Sequence, residues 1–141
     1  MDLREKVSQY ISKASNIFSN CYKTFDEKIA FLRNTVNDIN YPFNCENKKE
    51  IEEAIFLLGE NAKEAEPRKY QQSYLAELVK KIMSNPSKDD LLSYFKENEL
   101  LFDVFCLMYV HFNQETVSEK EKNAHAFMNE SIKNCAKLVI E

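Results

Sequence analysis

Apolar residues recur along this chain at alternating steps of three and four, the spacing that lines one face of an α-helix. Leu3, Val7, Tyr10, Ala14, Ile17 and Cys21 form the first such stripe, widened by Ile11, Phe18 and Tyr22. Thr24 followed by Glu27 has the spacing of a capping box, which predicts a restart as a second helix carrying Phe25, Ile29, Leu32, Val36 and Ile39. Pro42 and two asparagines mark residues 40–46 as a loop. A third stripe holds Ile51, Ile55, Leu58, Ala62 and Ala65, and Pro67 closes it or opens a fourth with Tyr70, Tyr74, Leu75, Leu78, Val79 and Ile82. After Asn85-Pro86, Ser87 with Asp90 predicts the cap of a short helix containing Leu91, Leu92 and Phe95.

The next segment breaks the amphipathic rule. From Leu100 to Phe112 apolar residues point in nearly every direction, and only Glu99 and Asp103 mark a polar strip. A helix that is apolar all round is either central or membrane-spanning. This one is short for a span and is interrupted by a carboxylate, so it is expected at the centre. A last helix, capped by Ser118 with Glu121, carries Ala124, Phe127, Met128, Cys135, Leu138 and Val139. The expectation is one all-α domain over residues 1–141, a compact bundle of six to seven helices around a central apolar helix at about 98–113.

Composition narrows this in two ways. The chain has a single glycine, Gly59, and sheet-rich folds draw on glycine for hairpin turns, so helices are the expected solution. Net charge is −4, and of 19 basic residues only Arg4, Arg33 and Arg68 are arginines. With no continuous basic stripe, nucleic-acid binding is disfavoured. The N-terminal residues are charged and amphipathic, without the apolar core of a signal peptide, and no membrane partner is expected. Cys21, Cys45, Cys106 and Cys135 include no CxxC pair and read as reduced thiols of a cytoplasmic protein.

Candidate chemistry is thin. His111 and His125 are the two histidines; Glu121 and His125 share a helical face, but no third ligand has a diagnostic spacing, so neither metal nor cofactor is expected. Cys106 and His111 are five apart and diverge, and Cys45 has only Asn44 and Glu46 beside it, which would not activate a thiol. Glu99 and Asp103 are read as the solvent edge of the central helix. One glycine cannot build a nucleotide loop.

The positive signal is a set of aromatics off the apolar stripes. Phe31 and Phe56 point away from the apolar faces of the second and third helices, and Tyr41 and Phe43 occupy the loop between them. Two readings stay open: an exposed partner-binding patch, or extra core against the central helix. A central apolar helix wrapped by amphipathic ones also resembles the Bcl-2-type plan of some viral immune modulators. That resemblance is one of architecture, since the chain has no tryptophan and hence no Trp-Gly-Arg signature.

The expected function is therefore non-enzymatic. The chain would be a helical module that binds another protein as inhibitor, adaptor or immunity/immune-modulating factor, through Phe31, Tyr41, Phe43 and Phe56. One alternative is a helical enzyme or metal-binding protein using Glu99, Asp103, His111 or His125. Another is a protein subunit of a nucleoprotein complex.

Overall fold

The computed structural model describes residues 3–38, 49, 52–53, 74–113 and 126–141. These form an all-α bundle of six helices: α1 (Leu3–Cys21), α2 (Phe25–Asn37), α3 (Tyr74–Met83), α4 (Lys88–Glu97), α5 (Glu99–Asn113) and α6 (Ala126–Ile140). No strand occurs among the described residues. Of the expected third helix only Lys49, Glu52 and Glu53 are described, and they are helical and exposed. The expected cap at Ser118 lies outside the described residues.

The breaks between helices follow local chemistry. The Thr24 hydroxyl accepts from the Glu27 amide at 3.1 Å, and the Glu27 carboxylate accepts from the Lys23 amide at 3.3 Å. The box thus closes on the residue before the cap and separates α2 from α1 across Tyr22, Lys23 and Thr24. Ser87 caps α4 in the same way, accepting from the Asp90 amide at 3.2 Å. Ahead of it Asn85 takes a left-handed φ of 56°, which asparagine tolerates better than most residues. Asn98 alone separates α4 from α5. Its single backbone N–H is shared between the Tyr94 and Phe95 carbonyls and its side-chain amide donates to Tyr94, while its own carbonyl accepts from the Phe102 amide at 3.1 Å.

α5 is the axis of the bundle, packed by each of the other five helices. Every residue from Leu101 to Val110 is buried. α2, α3 and α4 each lean on both α5 and α6. α6 turns Ile132, Cys135, Ala136 and Val139 inward at steps of three and four. Ile132 and Ala136 fill the gap left in the stripe expected from Ala124 to Val139, and Leu138 is only half-buried.

Aromatic rings fill the space around the axis in two groups. On one side Phe102 meets Phe25 edge-on at 4.9 Å and Phe95 at 4.8 Å, and Phe95 reaches Phe105 at 5.0 Å. On the other, Phe18, Tyr22 and Phe31 form a triangle with centroids 4.8–5.2 Å apart. Edge-to-face and tilted pairs at these distances add about 0.5–1.5 kcal/mol each beyond burial of their area.

This second group corrects the expectation for Phe31. It is only 2% exposed and seals α1 against α2, so it is core and offers no surface to a partner. The buried face of α2 is Lys28, Phe31, Leu32 and Thr35, while Phe25, Ile29 and Val36 are half-buried. Two polar residues on the deepest face pull the apparent apolar stripe sideways. Both are satisfied there: Thr35 donates to the Phe31 carbonyl at 2.8 Å, and Lys28 joins the cluster described next.

Candidate functional site

Asp103 departs furthest from expectation. Read from sequence as the wet edge of the central helix, it is 1% exposed and faces α1 and α2. Glu99, one turn earlier, does lie at the surface. The two carboxylates therefore sit in different environments and share no cleft as an acid–base pair.

Four side chains from three helices meet at Asp103. Ser15 and Ser19 are four apart on α1 and hence on one face, and both hydroxyls donate to Asp103 Oδ2 at 2.7 Å. Lys28 Nζ lies 2.8 Å from Oδ1. The same Nζ donates to Ser19 Oγ at 3.2 Å, so Ser19 accepts from the cation and donates to the anion. Oδ2 takes two hydroxyls and Oδ1 the ammonium.

Burying two opposite charges costs several kcal/mol per ion, and only close pairing with further hydrogen bonds offsets it. The cluster meets that condition, because Ser15 and Ser19 occupy positions on the carboxylate that Lys28 leaves open. Its chemistry is correspondingly inward. Lys28 donates to Ser19 and pairs with Asp103, and so is no base for Ser19. Asp103 accepts from two hydroxyls, pairs with the ammonium and has no approach from solvent.

The buried thiols are quiet for a related reason. Cys106, one turn beyond Asp103 on α5, is pushed well above the ordinary thiol range, first by burial and then by the Asp103 charge, with Lys28 pulling weakly the other way. Burial raises Cys135 from 9.0 to about 11, and its Sγ lies 3.7 Å from the Ile82 carbonyl. The thiolate is the nucleophile and metal-binding form, so both act as small apolar side chains at neutral pH.

The remaining candidates divide by what is described. The backbone of His111 belongs to the last turns of α5, but its side chain lies outside the described residues. Tyr41, Phe43, Cys45, Phe56, Glu121 and His125 also lie outside them. Among the described residues no group of three His, Cys, Asp or Glu stands close enough to hold a metal ion. Nor is any described helix long and apolar enough to cross a membrane.

Sequence reasoning missed Ser15, Ser19 and Lys28, each of which reads as an ordinary surface residue. One signal was available. A carboxylate inside a helix with no other polar face requires a buried cation, and Lys28 is the basic residue set among Phe25, Ile29 and Leu32. No family model matches the chain, and neither a curated protein nor a solved structure does.

Proposed function

We propose that the chain is a non-enzymatic helical binding module of the cytoplasm, acting on another protein as inhibitor, adaptor or immunity/immune-modulating factor. The supporting observation is where its polar chemistry lies. Asp103, Lys28, Ser15 and Ser19 pair with one another between helices, and burial keeps the Cys106 and Cys135 thiols protonated. These groups hold a frame together rather than face a substrate.

α2 is tied into that frame along its length. Thr24 caps its start, Lys28 and Phe31 fasten its middle, and Arg33 donates to the Ile140 carbonyl at the end of α6. Tyr41 and Phe43 follow α2 directly in sequence, and with Phe56 they form the partner-binding set that remains once Phe31 is assigned to the core. Aromatic anchors on a rigid support bind with little loss of conformational freedom. Reduced buried thiols accord with a reducing compartment.

The test is affinity capture with the wild-type chain, followed by titration of the purified partner against Phe43→Ala and Phe56→Ala. Binding is expected to weaken by about 30-fold at whichever anchor is central, with an unchanged melting temperature. Equal affinity in both variants would remove this surface from the account.

A further inference from the structure

The described junctions between helices differ in what interrupts the helix. Between α1 and α2 it is the capping box of Thr24 and Glu27. Between α3 and α4 it is the left-handed Asn85, followed by Pro86 and the Ser87 cap. Between α4 and α5 it is Asn98 alone, and neither glycine nor proline occurs anywhere from Lys88 to Asn113.

Asn98 leaves the helical path only in its own torsions, φ −132° and ψ 64°. The helical ladder runs up to it, where its N–H donates to the Tyr94 carbonyl at 3.0 Å. The ladder resumes from it, where its carbonyl accepts from the Phe102 amide. Its side chain donates back to Tyr94 and so serves the end of α4 rather than the start of α5. What holds the elbow is tertiary packing: Phe95 meets Phe102 and Phe105 of α5, and both helices rest on α6. Turning Asn98 to helical torsions joins Lys88–Asn113 into one helix, roughly 39 Å long at 1.5 Å per residue. The amides of Glu99, Leu100 and Leu101 then pair with the carbonyls of Phe95, Lys96 and Glu97. Straightening also parts Phe95 from Phe102 and Phe105 within the chain, so one copy cannot keep its core in that form. A second copy can return it.

We propose that Asn98 is a swap hinge and that the chain pairs with a second copy of itself, α5 and α6 of each packing on α1–α4 of the other. The two-fold dimer remakes across chains each contact that these two parts make within one, the Lys28–Asp103 pair included. A connection of one residue is the short kind of hinge that invites such an exchange. The backbone bonds gained at both straightened junctions favour the dimer.

The experiment is complementation between two broken full-length chains, Lys28→Met and Asp103→Leu. Each alone buries one charge without its partner. In a swapped heterodimer one half carries both substitutions and the other carries neither, so Lys28 meets Asp103 again. Co-refolded in equal amounts, the two are expected to form a heterodimer by native mass spectrometry. Its urea midpoint should lie near that of the wild type, above either variant alone, and rise with chain concentration. A mixture that unfolds as the superposition of its components, with no heterodimer, would overturn the swap. In the wild-type background Asn98→Ala favours the straight form at both junctions, and should raise the dimer association constant roughly ten-fold by light scattering. Asn98→Gly should lower it. A dimer insensitive to both substitutions would overturn Asn98 as the hinge.

Discussion

The two sides of α5 reach the same burial by opposite means. Toward α4 the contact is almost wholly apolar, with Phe95, Phe102 and Phe105 interlocked and Leu91 beside them in the same core. Toward α1 and α2 the contact has an apolar patch of Phe18, Tyr22 and Phe31, and next to it an ion pair with two hydroxyls. The apolar side tolerates small changes of shape because its attraction is undirected. The polar side accepts one arrangement, because each donor must meet its acceptor at 2.7–3.2 Å.

The sharpest way to break this contrast is to remove one charge and keep the volume. Lys28→Met leaves Asp103 buried without its cation and is expected to destabilise the protein by about 3–5 kcal/mol in urea unfolding. Adding Asp103→Leu to the same chain should recover most of that loss, because the isolated charge disappears with it. If the double variant is no more stable than the single one, the loss belongs to packing and the seam is not electrostatic.

The second prediction compares the two ring clusters. Phe102→Ala and Phe31→Ala are both expected to cost about 3–5 kcal/mol, with the value for Phe31 at the lower end because its cluster borders the polar seam. A loss below about 1 kcal/mol at Phe31 would return it to the surface, where single substitutions have small effects.

The smallest effect is a matter of pH. The folded Cys135 thiol is raised from 9.0 to about 11, so an unfolded chain ionises it first as pH climbs. Stability is complete below pH 9 and drains away as pH rises toward 11, by about 1 kcal/mol at pH 10. Comparing wild type with Cys135→Ala across that window isolates the thiol from tyrosines and lysines titrating nearby. Parallel stability curves would show that the site is wetter than its burial indicates.

How far the sequence could be read follows from the same contrast. The apolar side was legible: the all-round pattern of residues 100–112 marks the axis, and the caps at Thr24 and Ser87 stand where the spacing puts them. The start and finish of α1 also coincide with its stripe from Leu3 to Cys21. The polar side was not, since periodicity assigns every charged or hydroxyl residue to water. That assumption misplaced Asp103, hid Lys28, Ser15 and Ser19, and turned the apparent face of α2 far enough to put Phe31 outside. Buried polar groups come in mutually dependent sets, and no single position carries the information.

Asp103 has one more consequence, for the orientation of α5 about its own axis. A rod that is apolar on all sides can rotate within a greasy sleeve at little cost, and cores that are merely apolar hold their shape loosely. A single carboxylate removes that freedom: any rotation that carries Asp103 away from Lys28 strands both charges in a dry interior. One polar residue among ten consecutive buried positions thus fixes the azimuth of the axis, and with it the side of the bundle on which every other helix must lie.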